Sequence, residues 1–86
     1  MDIAILDETL SSIRELLIEK NKRYGEANIR KFGSMGVVIR SSDKVERLRT
    51  LLFDKVEASV DESVEDSWKD LAGYAIIGAM LQQEKW

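Results

Sequence analysis

Five carboxylate side chains stand at helical spacing in two separate stretches of this sequence. Asp43 and Glu46 lie three residues apart, while Glu62, Asp66 and Asp70 follow one another at steps of four. Side chains at these steps share one face of an α-helix. In an antiparallel helix pair the two sets can meet, and carboxylates in a shielded place repel one another unless a cation lies among them. Ligands that are all oxygen favour Mg²⁺ or Mn²⁺.

Basic side chains flank these acids. Residues 20–49 contain nine bases and three acids, a local charge of +6. Carboxylates that hold a metal beside bases that hold phosphate are what a nucleotide polyphosphate requires. Aromatic rings at Tyr24, Phe32 or Trp68 can stack on a nucleobase, although a place in the core is the ordinary role of such residues. The candidate phosphate-binding side chains are Arg40, Lys44, Arg47, Lys22 and Arg23.

An ordinary solvated helix face explains the same acids almost as well. Glu65 with Lys69, for example, is an i, i+4 pair worth a few tenths of a kcal/mol. What favours a site is that Asp66 and Asp70 lead into Tyr74 and Ile77, where the sequence becomes apolar. We therefore expect this acidic column to face a covered surface rather than open water.

The composition excludes several classes of protein. The chain has 86 residues, no cysteine and no histidine, which excludes disulfides, a histidine-based catalytic triad and a thiol nucleophile and makes a zinc site very unfavourable. No phosphate-binding glycine motif of the P-loop or dinucleotide type occurs. The net charge of −3 argues against duplex nucleic acid as a partner. Because the first residues do not resemble a secretory signal and residues 71–81 are too few to cross a membrane, we expect a cytoplasmic protein without a membrane partner.

The pattern predicts one all-α domain over residues 1–86, because proline and alternating strand patterns are absent. We expect three helices at about 7–24, 37–54 and 61–83, with a glycine-containing loop at 25–36. Asp7 is the expected N-cap of the first helix, and the spacing of Ser59 and Glu62 predicts a capping box for the third. An alternative is that residues 36–40 are extended and that the second helix begins after Ser41 or Ser42.

The third helix also predicts assembly. Residues 71–81 are apolar or small on every side, and such a helix needs cover all round. Three helices from so short a chain cannot easily supply that cover. We therefore expect the three-helix unit to pack with further copies into an oligomeric bundle, a dimer or a tetramer.

Three runs of sequence resemble a known family. They are residues 21–25, residues 36–48 with the pattern Asp-Lys-x-x-Arg-Leu, and residues 62–75 with Glu-Ser-x-x-Asp-x-x-x-Asp-Leu-Ala-Gly-Tyr. Together they are similar to the nucleotide modification associated domain 1 family of phages and bacteria. At a greater distance they resemble the MazG-like all-α nucleoside triphosphate pyrophosphatases. The resemblance covers residues 20–82.

The MazG-like resemblance implies an obligate helical oligomer that binds Mg²⁺ and cleaves a nucleotide to its monophosphate and pyrophosphate. It implies that Glu62 and Asp66 hold the metal, with Asp70 in the same column. Asp43 or Glu46 would complete the metal shell or orient a water as the catalytic group. The resemblance assigns the phosphates to Arg40, Lys44 and Arg47. Two departures exist, since Asp43 replaces a Glu and the step from Glu62 to Asp66 is one residue longer than in the family pattern.

Three functions follow as hypotheses. The first is a Mg²⁺-dependent nucleotide pyrophosphohydrolase serving phage nucleotide metabolism. The second is a non-catalytic nucleotide-binding protein that sequesters a signalling nucleotide. The third is a structural helical oligomer or adaptor. Turnover of nucleoside triphosphates separates the first from the others, and nucleotide binding separates the second from the third.

Overall fold

The computed structural model describes residues 1–54 and 63–86, and these ranges form α-helices without a strand. Helix α1 spans Ile3–Tyr24, α2 spans Ala27–Leu52 and α3 spans Val64–Gln82. The prediction of an all-α fold with three helices is therefore confirmed. The bounds differ from the expected ones at several points, and each difference has a local cause.

Helix α1 begins four residues earlier than expected. The carboxylate of Asp2 accepts a hydrogen bond from the backbone N–H of Ile5 at 3.2 Å, and this capping bond satisfies one of the free donors at the helix start. Asp7, the expected N-cap, lies inside the helix. The other end is as predicted, because Gly25 adopts φ 77° and terminates α1 after Tyr24.

Helix α2 extends through most of the segment that was expected to be a loop. Residues 27–32 are helical, and the chain leaves helical geometry at Gly33, which has φ 59° and ψ −152°. A residue with a side chain rarely adopts such a φ, so a glycine is needed to break and redirect the helix here. The predicted loop at 25–36 was wrong except at Gly25, Glu26 and Gly33, since the other residues of the segment are helical. The alternative of an extended segment at 36–40 was also wrong, since these residues are helical.

Helix α3 begins with a capping box formed by Ser63 and Asp66. The backbone N–H of Asp66 donates to the Ser63 hydroxyl at 3.0 Å, and the backbone N–H of Ser63 donates to the Asp66 carboxylate at 3.2 Å. The capping box expected from Ser59 and Glu62 lies outside the described residues. The cap that the structure describes for α3 is Ser63 with Asp66, a pair that the sequence-based prediction did not include.

The core lies where α1 and α2 pack against α3. The buried apolar side chains of the described residues are Ile13, Val37, Leu48, Leu51 and Ile77. Gly73 brings α1 and α3 close together, since a Cβ at this position would lie 3.2 Å from Leu17 Cδ2.

The helical spacing predicts an apolar stripe on α2 formed by Val38, Val45, Leu48 and Leu52, and of these four residues only Leu48 is buried, at 5% exposed. Val38, Val45 and Leu52 are 61%, 50% and 46% exposed, because α3 packs against the neighbouring face that carries Val37 and Leu51. No helix formed by the described residues is long and apolar enough to cross a membrane.

The cap of α3 generates a prediction on pH and stability. The backbone N–H and then the side chain of Ser63 hold the pKa of Asp66 below its ordinary value of 3.8; burial opposes this weakly and Lys69 adds to it. A carboxyl whose folded pKa is lowered stabilises the fold above its unfolded pKa, and this contribution is lost as the pH falls through the folded pKa. Asp66→Asn should therefore lower the melting temperature at pH 6, and the difference from the wild type should shrink below about pH 3.8.

Thermal melts followed by circular dichroism between about pH 6 and pH 2.5 measure this difference. Asp43→Asn is the matched control, because Asp43 is exposed and caps no helix, and its difference from the wild type should change less with pH. If the difference in melting temperature between the wild type and Asp66→Asn stays constant over this whole pH range, the charge of Asp66 does not contribute to the cap.

Candidate functional site

A cavity of about 310 Å³ opens between the three helices. Helix α1 supplies one wall, the first turns of α2 and Arg40 supply the other, and α3 forms the floor. The aromatic ring of Trp86 lies at the border. The volume falls at the lower end of the range of small-molecule sites, about 300–1,000 Å³. The side chains on the floor are Lys69, Asp70, Tyr74 and Ile77, and Gly73 lies between them.

Asp70 is the centre of the polar network at this floor. One carboxylate oxygen accepts from Lys20 Nζ of α1 at 3.0 Å, and the other accepts from Lys44 Nζ of α2 at 3.0 Å. The Asp70 side chain is only 14% exposed, so water screens these bonds less than it screens an ordinary surface pair. One carboxylate therefore connects all three helices.

Positive charge dominates the lining of the cavity. Lys20, Arg40 and Lys69 line it, and Asp70 is the only acid among the described lining residues, which leaves a net charge of +2 for these four side chains. Arg40 is half-buried and forms no hydrogen bond or ion pair within residues 1–54 and 63–86. Lys69 donates to the Ser12 hydroxyl at 3.0 Å and lies 3.9 Å from Glu65. Arg40 is thus the cation best placed to accept an anion from outside.

Two further polar groups at the cavity have no hydrogen-bond partner in the described part of the chain. They are the buried amide oxygen of Asn21 and the buried indole N–H of Trp86. Sequence reasoning identified neither, and it also missed Lys20 and Lys69. Lys69 had been interpreted as the partner of Glu65. The acidic first part of the chain ends before Lys20, and the basic stretch begins at this residue. This change of charge is the one sequence signal that could have identified Lys20 as a residue of the site.

The acids expected to hold a metal are not brought together in the described structure. Asp43, Glu46 and Asp66 are exposed, Asp66 caps α3, and Glu62 lies outside the described residues. Among the expected acids that the structure describes, Asp70 alone lines the cavity. Within residues 1–54 and 63–86, no three acidic side chains form a group that could hold a metal ion. The metal-binding and catalytic assignments therefore stay predictions, with Asp70 as the carboxylate that the cavity itself offers.

The bases expected to hold phosphate are placed in three different ways. Arg40 lines the cavity. Lys44 forms an ion pair with Asp70, which lines the cavity, and Arg47 is half-buried on the same helix. Lys22 is exposed, and the side chain of Tyr24 lies outside the described part of the structure.

Two of the three predicted stacking rings, Phe32 and Trp68, do not line this cavity. Phe32 and Trp68 are 57% and 54% exposed. Tyr74 and Trp86 take their place as the aromatic residues of the site.

The chain matches one family model, described as Nucleotide modification associated domain 1, over residues 20–82. No curated protein and no solved structure matches the chain. The matched range covers 63 of the 86 residues and contains Lys20, Arg40, Lys44 and Asp70, so the polar network of the cavity lies entirely within it. The chain therefore belongs to the nucleotide modification associated domain 1 family.

Proposed function

We propose that this protein binds a phosphorylated nucleotide in the cavity between its three helices. The observation that carries this proposal is the set of three cations, Lys20, Arg40 and Lys69, around a cavity whose described lining has one acid, Asp70, which is itself paired with Lys20 and with Lys44. An excess of positive charge at a half-enclosed site attracts phosphate. The family to which the chain belongs is described in terms of nucleotides, which supports the same class of ligand.

The side chains suggest how such a ligand would bind. The guanidinium of Arg40 presents a planar set of donors that matches two phosphate oxygens. Lys20 and Lys44 can turn from Asp70 towards a phosphate, because a lysine is a flexible point charge. The rings of Tyr74 and Trp86 offer apolar faces to a base. The cavity volume suits a ligand of about the size of one nucleotide.

Arg40→Ala should weaken nucleotide binding about 10-fold or more, because a charge-assisted hydrogen bond contributes about 1.5–3 kcal/mol. Isothermal titration calorimetry with nucleoside mono-, di- and triphosphates, with Mg²⁺ and with EDTA, measures the affinity. Arg49→Ala is the matched control, because Arg49 is an exposed arginine of the same helix that does not line the cavity.

A thermal-shift screen with the same nucleotides gives an independent measurement, since a ligand that binds only the folded chain raises its melting temperature. Equal affinities for the wild type and Arg40→Ala would exclude the cavity as the binding site. If no nucleotide binds or stabilises the protein, the proposed function fails and the structural or adaptor role remains.

The second candidate function is Mg²⁺-dependent pyrophosphohydrolysis of a nucleoside or deoxynucleoside triphosphate. The observation that favours it is the place of Asp70, a shielded carboxylate on the floor of the cationic cavity. Mg²⁺ is commonly held by one or two carboxylates together with substrate phosphates, so Asp70 fits such a role. A bound Mg²⁺ would supply Lewis-acid stabilisation of the phosphate charge. Lys20, Arg40 and Lys69 would position the polyphosphate, and the remote resemblance to MazG-like enzymes supports the same chemistry.

Asp70→Asn tests this second function. It should abolish Mg²⁺-dependent release of pyrophosphate, whereas binding of a nucleotide in EDTA should be retained or become tighter, because a negative charge has been removed from the cavity. We expect a loss of stability of roughly 1–2 kcal/mol, since Lys20 and Lys44 lose a partner but stay partly solvated.

Asp7→Asn, a change of the same chemistry at an exposed position of α1, should leave turnover and binding unchanged. Circular dichroism shows whether Asp70→Asn remains folded at the assay temperature. Binding in EDTA with no product from the wild type would identify a non-catalytic protein that sequesters a nucleotide. Undiminished turnover by folded Asp70→Asn would exclude Asp70 as a metal ligand.

We propose in addition that the chain assembles with further copies into a dimer or a tetramer. Large apolar side chains are exposed on all three described helices, among them Leu10, Val38 and Trp68. Burying such side chains between copies would add to the small core that one chain can form.

A further inference from the structure

Two buried polar atoms at the cavity have no hydrogen-bond partner within residues 1–54 and 63–86. They are the amide oxygen of Asn21 and the indole nitrogen of Trp86, and both residues line the cavity. A buried polar group without a partner is costly, and native proteins retain few of them. The amide oxygen is an acceptor and the indole N–H is a donor. A ligand that offers one donor and one acceptor would therefore satisfy both.

Asn21 lies at the end of the cavity that is distant from Lys69, because α1 runs parallel to α3. Lys69 donates to the Ser12 hydroxyl at 3.0 Å, and further along both helices a Cβ at Gly73 would lie 3.2 Å from Leu17 Cδ2. Both helices rise by about 1.5 Å per residue. Asn21, one turn after Leu17, is therefore level with the turn of α3 that follows Gly73.

The chain reverses its direction after α3, and this reversal brings Trp86 back to the cavity. The backbone N–H of Lys85 donates to the carbonyl of Met80 at 2.9 Å, and Glu84 adopts φ 58°. This is the hydrogen bond and the left-handed residue of a Schellman-type helix end. Arg30 of α2 donates to the carbonyl of Trp86 at 3.3 Å and holds the reversed segment against the start of α2. Trp86 thus lines the cavity beside the last turns of α3.

The ion pairs of Asp70 lie at the opposite end of the cavity. Asp70 precedes Gly78 by eight residues, which is about 12 Å along α3. Helix α2 runs antiparallel to α3, since Lys44 pairs with Asp70, while a Cβ at Gly78 would lie 3.9 Å from Val37 Cγ1. Arg40 stands between Val37 and Lys44 on α2, so it lies between the two ends of the cavity.

We propose that Asn21 and Trp86 bind the nucleobase of the ligand by its polar edge, and that they select nucleotides over phosphate compounds without a base. This inference rests on the proposed function and assigns a direction to the bound nucleotide. A nucleotide carries its base and its phosphates on opposite sides of its sugar, as the cavity separates its unpaired polar groups from the ion pairs of Asp70. Each nucleobase has hydrogen-bond donors and acceptors along its edges, which the amide oxygen and the indole N–H complement.

Isothermal titration calorimetry of the full chain with ATP, GTP, CTP, UTP and inorganic tripolyphosphate tests the inference. The wild type should bind at least one nucleoside triphosphate more tightly than tripolyphosphate. Asn21→Leu and Trp86→Phe should each weaken the binding of that nucleotide about 5-fold or more and leave the affinity for tripolyphosphate unchanged. Phenylalanine keeps an aromatic face, so Trp86→Phe isolates the loss of the N–H. Arg40→Ala should weaken the binding of both ligands.

Trp68→Phe and Gln82→Leu are the matched controls, because both side chains are exposed and neither lines the cavity. They should leave the affinities for the nucleotide and for tripolyphosphate unchanged. Circular dichroism shows whether each variant is folded at the temperature of the titration. Asn21→Ala replaces Asn21→Leu if the leucine variant is unfolded.

A 2′,3′-dideoxynucleoside triphosphate distinguishes the base from the sugar, because it keeps the base and lacks both sugar hydroxyls. Its binding should also be weaker in Asn21→Leu and Trp86→Phe. If these variants affect only nucleotides that carry the hydroxyls, the two residues bind the sugar and the inference is wrong.

Three further results would overturn the inference. They are a wild type that binds tripolyphosphate as tightly as every nucleotide, variants that leave nucleotide affinity unchanged, and variants that weaken both ligands alike. In these cases a loss of affinity in Arg40→Ala would still support the proposed function. If neither nucleotides nor tripolyphosphate bind to the wild type, the proposed function and the inference both fail.

Discussion

Asp70 is the constraint on which the rest of this structure depends. Its carboxylate accepts from Lys20 of α1 and from Lys44 of α2, and it belongs to α3, so a single acid links all three helices. The pairing also sets the electrostatics of the cavity. Two of the nearby bases are held by Asp70, while Arg40 has no such partner within the described residues. A ligand with several phosphate oxygens can therefore bind Arg40 and draw on the lysines without a large rearrangement.

The small size of the chain affects both its stability and its surface. Only a few apolar side chains of the described residues are buried, and α3 contributes Ile77 to the core while its Trp68 remains 54% exposed. A helix that must form the floor of a cavity and the centre of a small fold cannot have every side covered by two neighbours. The cost of an open apolar face is the loss of about 25 cal/mol for each Å² that stays in water.

Local sequence signals predicted much of the fold, and tertiary contacts explain where they failed. The helical pattern and the end of α1 at Tyr24, before Gly25, were predicted correctly. The start of α1 was wrong because Asp2 and Asp7 are equally good caps by residue type. The prediction of a loop at 25–36 was wrong because its glycines interrupt the helices only locally. Gly25 and Gly33 adopt positive φ, and the segment between them is helical.

The sequence by itself determined that the described chain is all-α and which residues share a helix face. It predicted a covered surface for Asp66 and Asp70, which is correct for Asp70 and wrong for the exposed Asp66. Only the tertiary structure decided which face of each helix meets another, because periodicity fixes relative angles around one axis and not the direction of a neighbour. It placed Val38 in water and Val37 in the core. It also gave Asp70 two lysines as partners instead of further acids, because ion pairs depend on distances between helices that no spacing along the chain contains.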